Sequence, residues 1–216
     1  MSSRDAILSR IRSALANDPP RDRPPVPPVW PRENPSAEDM AARFAQELEA
    51  VHGETIRANS MDEARQKLAG LLGQSQWSML GAVDRPLCRE LTAGLKPEQV
   101  AWIAPDWTPQ RIAELPVGLV AAECLLADTG SCVVANPTPN DRLMCYLPPA
   151  CVVVARTGQL FEHLPAVWQE VASRTADPET RGEFVFITGP SRTADIEKIL
   201  ILGVHGPKRL IVMLVG

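Results

Sequence analysis

Short apolar runs alternate with helix-like segments along most of the chain, and this alternation limits the possible folds more than any other feature. The runs that predict strands include Thr55–Asn59, Trp77–Val83, Val100–Ala104, Cys151–Ala155, Glu183–Thr188 and Arg209–Val215. Strands that are apolar on both faces are typical of a parallel sheet with helices packed on both sides. We therefore predict an α/β domain with a mostly parallel sheet and helices on both faces.

The predicted helices begin at recognisable caps. Ser36 with Asp39, and Ser60 with Glu63, have the spacing of a capping box ahead of helical segments. The other predicted helices of the domain are Arg85–Leu95, Thr108–Leu115, Leu160–Arg174 and Ala194–Leu202.

One part of the sheet is predicted to be antiparallel. Val117–Leu126 is predicted as a single buried strand, residues 128–130 (Asp-Thr-Gly) as a tight turn, and Ser131–Ala135 as the next strand. Two apolar runs joined by a short turn that contains glycine indicate a hairpin.

A proline-rich segment separates the N-terminus from this domain. Residues 19–35 contain eight prolines in seventeen positions, which excludes a helix or a central strand. We predict an N-terminal helix and proline-rich arm over residues 1–35 and an α/β domain over residues 36–216. The arm is either a plain linker or a segment that packs on a second subunit through Trp30, which would make a homo-oligomer.

Charge and cysteine pattern exclude several classes of function. The net charge is −4 and no Lys/Arg cluster stands out, so we expect no nucleic-acid partner. No apolar run approaches the roughly 20 residues of a membrane span, and the N-terminus lacks a secretory signal, so we expect a cytoplasmic protein. The five cysteines show no C-x2-C spacing and the three histidines are dispersed, so we expect no metal or cofactor in this chain.

The segment ITGPSRTADIE is the first candidate for a binding site. If a helix begins at Thr193 or Ala194, its free N–H groups and the side chain of Arg192 suit a carboxylate or a phosphate. The candidate anion contacts are Gly189, Pro190, Ser191, Arg192, Thr193 and Asp195. Alternatively, Ser191 or Thr193 is simply the N-cap of that helix.

The second candidate lies between Glu123 and Pro149. A Glu123 carboxylate within an apolar strand could serve as an acid, base or nucleophile, or it could face solvent on an edge strand. Asp128 is a second catalytic candidate, and it is followed by Thr129 and Gly130 as candidate contacts in the same turn. Arg142 is a candidate anion contact or a surface ion-pair partner. His205, outside this segment, is a candidate contact, or it favours the dipole of the preceding predicted helix, whose C-cap and turn are formed by Gly203 and Gly206-Pro207.

The block ITGPSRTADIEKILILGVHGPKRL, with ADTGS and RLMCYLPP upstream, resembles the lactate utilization protein C family of the LUD-domain (YkgG-like) group. The resemblance implies a fold similar to CoA-transferase and ribose-5-phosphate isomerase (NagB/RpiA-like). It implies a part in oxidising L-lactate to pyruvate together with two iron–sulfur partner subunits, with no cluster in this chain. Two positions depart from the family pattern: Ser131 stands where Thr is more usual, and Cys151 stands where His is frequent.

The resemblance also implies that fourteen positions match the family's pattern, and it assigns no role to any of them. They are Asp128, Thr129, Gly130, Arg142, Pro148, Gly189, Pro190, Ser191, Thr193, Asp195, Glu197, Gly203, His205 and Gly206. The leading hypothesis is an accessory or small-anion-binding subunit of an L-lactate utilisation system, a component of an oxidoreductase complex rather than a stand-alone enzyme. One alternative is an independent CoA-transferase-like or sugar-phosphate-isomerase-like enzyme that uses Glu123 or Asp128. Another is an interaction module without a ligand.

Overall fold

The structure is a computed structural model that describes residues 3–16, 33–136, 138–176, 183–194 and 200–216. Most of the proline-rich segment, including Trp30, lies outside the described residues. By contact density the chain divides into two units, Met1–Pro31 and Arg32–Gly216. In the first unit, helix α1 spans Ser3–Ala16, as predicted, and the side chains of Ile7, Ile11 and Leu15 are exposed along it.

The second unit contains a six-stranded sheet in which all neighbouring strands are parallel. In spatial order its strands are β1 (Glu54–Ala58), β12 (Arg209–Val215), β7 (Ala150–Arg156), β4 (Gly118–Ala121), β2 (Leu80–Ala82) and β3 (Val100–Trp102). The central strands β7 and β12 are buried along nearly their whole length. Continuous apolar sequence therefore reflects burial on both faces, and the predicted α/β class with a mostly parallel sheet is confirmed.

The helices of this unit are α2 (Ala37–Ala50), α3 (Met61–Gln74), α4 (Pro86–Thr92), α5 (Pro109–Ala113), α6 (Pro139–Leu143) and α7 (Leu164–Ala176). The two predicted caps are confirmed. The Ser36 hydroxyl accepts the N–H of Asp39 at 3.1 Å, and the Ser60 hydroxyl accepts the N–H of Glu63 at 3.2 Å. The carboxylate of Glu63 in turn accepts the N–H of Asn59, the residue before the N-cap, at 2.7 Å, so it satisfies a donor one residue earlier than in a capping box.

A second sheet has four strands in the order β8 (Leu160–Phe161), β5 (Cys124–Leu126), β6 (Ser131–Asn136) and β9 (Glu183–Ile187). Strands β5 and β6 are antiparallel, so the predicted hairpin around Asp-Thr-Gly is confirmed. The prediction of one strand over Val117–Leu126 is wrong, because β4 ends at Ala121 and β5 starts at Cys124 in the other sheet. Both halves are buried, so the apolar run continues through the change of sheet.

Two predicted helices also differ from the structure. Arg192–Ala194 (β10) pairs antiparallel with Leu200–Leu202 (β11), so the described ends of the predicted helix Ala194–Leu202 are strands. Thr193 lies opposite Ile201, and β-branched residues favour such pairing. The predicted helix Leu160–Arg174 begins only at Leu164, after the short strand β8.

The core lies on the six-stranded sheet, and a smaller apolar cluster lies between α7 and the second sheet. In the smaller cluster, Val167 and Val171 of α7 pack with Cys124, Leu126 and Val133. No described helix combines the length and the apolar character needed to cross a membrane.

Candidate functional site

A cleft of about 350 Å³ lies at the carboxyl ends of the parallel strands β2 and β3. We call it the carboxyl-edge cleft; it is lined by Val83, Asp84, Arg85, Ile103, Ala104, Pro105, Thr138, Asn140 and Asp141. The first three residues follow β2, the next three follow β3, and the last three belong to the start of α6. Open α/β sheets bind ligands at this edge, and pockets for small molecules begin at about 300 Å³.

Arg85 is positioned in the cleft by the turn from β2 into α4. It is the N-cap residue of α4, and Pro86 fixes the first helical position behind it. Its side chain is half-buried, and its Nη2 donates to the carbonyl oxygen of Ala135 at 3.1 Å. This bond holds the guanidinium between α4 and β6. A guanidinium has five N–H donors, so others can serve a ligand in the cleft.

The opposite wall of the cleft is the start of α6, and side-chain hydrogen bonds fix its position. The Thr138 hydroxyl accepts the N–H of Asp141 at 3.1 Å and caps the helix. The Asn140 amide donates to the carbonyl oxygens of Ala104 at 2.9 Å and Trp107 at 3.2 Å. These bonds connect α6 to the loop after β3, so the two walls form one preorganised unit.

The cleft contains carboxylates as well as a guanidinium. Asp84 forms a bidentate ion pair with Arg89, at 2.5 Å and 2.6 Å. The Arg89 hydrogen bond and charge lower the pKa of Asp84, so this carboxylate is ionised at neutral pH. Asp141 brings a second carboxyl group to the lining. A ligand with both an acidic and a hydroxyl group would therefore find a cation for the first and an acceptor for the second.

The sequence-predicted loops meet elsewhere, in what we call the polar junction: residues 128–131, 188–191 and 203–207. Three hydroxyls form a chain there. The Thr129 and Ser131 oxygens are 2.8 Å apart, and the Ser131 and Thr188 oxygens are 2.7 Å apart. Residues after β9 therefore lie directly beside the Asp128-Thr129-Gly130 turn.

Ser191 joins the block after β9 to the block before β12. Its N–H donates to the Pro207 carbonyl at 2.8 Å, and its own carbonyl accepts the N–H of Gly203 at 2.9 Å. Its hydroxyl accepts the backbone N–H of His205 at 3.3 Å. The preceding Pro190 is buried, whereas the side chain of His205 is exposed. Ser191 thus has a structural role that the helix N-cap interpretation did not anticipate.

Two glycines of the polar junction are explained by close packing. Gly130 has φ +62°, and a Cβ there would lie 2.8 Å from the Cα of Leu48 at the end of α2. Gly189 has φ +126°, and a Cβ there would lie 3.0 Å from Cγ2 of Val51. Both positions require a conformation that favours glycine, and Gly130 also has no space for a side chain.

The polar junction does not lie at the ligand-binding edge of the parallel sheet. Its contacts are with Leu48 and Val51, which precede β1, and it includes Pro207, which precedes β12. These are the amino ends of β1 and β12. Strand β9, which leads into the junction, belongs to the second sheet and not to the parallel one.

The remaining predicted contacts fall in several places. No helix begins at Thr193 or Ala194, so the helix-terminus argument for an anion site fails there; Arg192 is exposed on β10, and Asp195 lies outside the described residues. Glu123 is half-buried at the bend between β4 and β5, where its N–H donates to Val133. Arg142 follows Asp141 on α6 and is half-buried beside the carboxyl-edge cleft.

Sequence reasoning missed a buried polar pair, Glu162 and His163, next to the polar junction. The Glu162 carbonyl accepts the N–H of Asp128 at 3.1 Å, and its carboxylate accepts the N–H of Glu33 at 2.9 Å. His163 is 3% exposed, and its Nδ1 accepts the N–H of Ala166 at 3.2 Å, which caps α7. Its Nε2 has no hydrogen-bond partner among the described residues. The sequence feature that could have indicated this pair is a Glu-His dipeptide between two apolar segments.

The cysteines are poor candidates for chemistry. All five lie in the described residues, are buried and form no disulfide bond. Burial raises the pKa of Cys88 to about 12, and it also raises the pKa values of Cys132 and Cys151. A thiol rather than a thiolate is therefore present at neutral pH, which disfavours nucleophilic catalysis. Within the described residues, no group of His, Cys, Asp or Glu side chains has the arrangement of a metal site.

Comparison with known proteins places the chain in a family. The LUD domain model matches residues 41–215. Lactate utilization protein C of Bacillus pumilus is 23% identical over 100% of this chain and 97% of that protein. Lactate utilization protein C of Halalkalibacterium halodurans is 31% identical over 55% of this chain and 54% of that protein.

A solved structure supports the fold independently. A DUF162 family protein from Deinococcus radiodurans superposes with a TM-score of 0.61 at 16% identity, over 84% of this chain and 99% of that one. At this identity the likeness concerns the fold alone. Together with the family model, which matches most of the sequence, it leads to one conclusion: the chain belongs to the LUD domain family.

Proposed function

We propose that this protein takes part in L-lactate utilisation as a subunit that binds a small carboxylate, beside iron–sulfur partner subunits that oxidise L-lactate to pyruvate. The relative from Bacillus pumilus, named Lactate utilization protein C, aligns over the whole chain and nearly all of its own length. An alignment of this extent supports a shared role for the whole chain. The proposal gives this chain ligand binding and assigns the redox clusters to its partners.

The observation that carries the proposed binding role is the half-buried Arg85 in the carboxyl-edge cleft. A 2-hydroxy acid such as lactate has a carboxylate that a guanidinium can bind through two parallel hydrogen bonds. Its hydroxyl can donate to a carboxylate of the lining, either Asp84 or Asp141. The lining therefore offers partners for both functional groups of the same small acid.

The alternative of an independent carboxylate-using enzyme has less support from the geometry. Glu123 and Asp128 stand on either side of the three-residue strand β5, Cys124–Leu126. Neither residue lines the carboxyl-edge cleft. We therefore place the ligand at Arg85 rather than at either carboxylate.

Titration calorimetry with L-lactate and with pyruvate tests this proposal. Wild-type protein should bind at least one of the two acids, and Arg85→Gln should weaken that binding by about 1.5–3 kcal/mol, the value of a hydrogen bond to a charged group. Arg85→Lys should give an intermediate affinity, because it keeps the charge and loses the forked geometry.

Arg111→Gln is the matched control. Arg111 stacks on Trp107, with the guanidinium carbon 3.7 Å from the ring centroid, and it does not line the cleft. This variant should bind like the wild type, and melting curves should show that all variants are folded. Equal binding by the Arg85→Gln and wild-type proteins, or no saturable binding by wild type, would contradict the proposal.

A further inference from the structure

A second cavity, of about 370 Å³, lies between the end of α4 and the edge strand β3. We call it the indole groove; its walls include Arg89, Lys96 and Trp102, and its apolar floor includes Leu95 and Val100. It shares no lining residue with the carboxyl-edge cleft. Because β3 is the last strand of its sheet, the groove is open along one side.

The groove presents a planar wall. The guanidinium carbon of Arg89 lies 4.6 Å from the ring centroid of Trp102, within the range of a cation–π contact. The side chain of Arg89 is 57% exposed, so the outer face of the guanidinium remains accessible. Guanidinium groups stack on flat π-systems as well as on indole rings. This wall therefore suits an aromatic ring of a ligand.

The groove is also cationic. Lys96 is exposed at its rim and contributes a second positive charge beside Arg89. The guanidinium of Arg89 is held by Asp84, but this pair is more than half exposed on both sides. Exposed ion pairs contribute about 0–1 kcal/mol, so an anion in the groove can compete with Asp84 for Arg89.

We propose that the indole groove is a binding site for a planar aromatic anion of the mononucleotide type. The ring stacks on the wall formed by Arg89 and Trp102, and the anionic group pairs with Arg89 and Lys96. Arg89, Trp102 and Lys96 together supply a stacking surface and two positive charges. Neither the stacking surface nor the charges alone would select such a ligand. The two sites are linked through Asp84, which lines the carboxyl-edge cleft and pairs with Arg89 of the indole groove.

Calorimetric titration of the full-length protein with AMP, adenosine and inorganic phosphate tests this site. AMP should bind saturably, and adenosine and phosphate should each bind at least about tenfold more weakly, because each lacks one of the two features. Lys96→Gln, an exposed change that is safe for folding, should weaken AMP binding about threefold or more. Arg89→Gln should weaken it about tenfold or more.

Asp84→Asn should change the AMP affinity in the opposite direction, which distinguishes an effect at this site from a general loss of structure. It removes the competitor for Arg89, so AMP binding should become tighter. Trp102→Phe keeps a ring and should bind AMP, whereas Trp102→Leu should weaken AMP binding and leave phosphate binding unchanged. No saturable AMP binding by wild type, or equal affinity in the Arg89→Gln and Lys96→Gln variants and wild type, would overturn the proposal.

Discussion

Replacing Gly130 by alanine tests whether the Asp-Thr-Gly turn is fixed by packing against α2. Gly130 has φ +62°, and its added Cβ would lie 2.8 Å from Leu48 Cα and 2.9 Å from the Glu47 carbonyl carbon. The left-handed conformation costs an alanine about 1–2 kcal/mol, and overpacking against backbone adds about 1–3 kcal/mol. The free energy of unfolding should therefore fall by roughly 2–5 kcal/mol.

The assay is thermal and urea denaturation followed by circular dichroism. For a domain of this size, 1 kcal/mol corresponds to about 2–4 °C, so the melting temperature should fall by roughly 4–20 °C. Gly70→Ala is the matched control, because Gly70 lies within α3 and a Cβ there would meet nothing within 4 Å. That variant should be as stable as wild type or slightly more stable, since alanine is the better helix former. A Gly130→Ala protein that melts within about 2 °C of wild type would refute the packing argument.

Two further predictions concern ionisation. Because Arg89 lowers the pKa of Asp84, Arg89→Gln should raise that pKa toward its ordinary value of about 3.9, measured by NMR titration of the carboxyl carbon. A depressed pKa stabilises the folded state at pH values above the unfolded pKa, so the difference in stability between wild type and Arg89→Gln should shrink as the pH falls below about 4. An unchanged pKa of Asp84 in Arg89→Gln would contradict the conclusion that Arg89 lowers it. All five cysteines are buried, with the pKa of Cys88 raised to about 12, so native protein at pH 8 should resist alkylation while urea-unfolded protein is labelled at every thiol. Fast labelling of Cys88 in the native state would contradict the burial of this thiol.

The parallel sheet was predictable because its strands carry a strong and simple signal. Strands such as β7 and β12 are buried on both faces, so their sequences are continuously apolar. Capping residues such as Ser36 and Ser60 marked the helix starts for an equally local reason, a hydrogen bond to an N–H three residues away. Signals that depend on neighbours in sequence were therefore sufficient for most of this sheet and for α2 and α3.

The secondary-structure predictions were wrong where the apolar pattern fits more than one arrangement of strands and helices. The run Val117–Leu126 is buried in two sheets, so nothing in its hydrophobicity marks the passage from β4 to β5. The segment around Leu200–Leu202 was predicted as helix, but pairing with Arg192–Ala194 makes its described part a strand. Pairing between segments is a tertiary contact, and it overrides local propensity.

The candidate site was only partly visible in the sequence. The blocks around Gly130, Ser191 and His205 do approach each other. The edge of the parallel sheet at which they meet is set by the order of the strands, and no local sequence pattern reveals that order. Arg85 was passed over as part of an ordinary helix. It became a candidate only when β2 and β3 were found side by side, with their carboxyl ends opening into one cleft.

Reconstitution is the most direct test of the proposed role in L-lactate utilisation. The protein would be purified together with the products of its neighbouring genes, and lactate-dependent reduction of an electron acceptor would be measured with wild type, with Arg85→Gln and without this chain. We predict full activity with wild type, and strongly reduced activity both with the folded Arg85→Gln variant and when the chain is omitted. Lactate oxidation at the same rate with and without the chain would contradict the proposal.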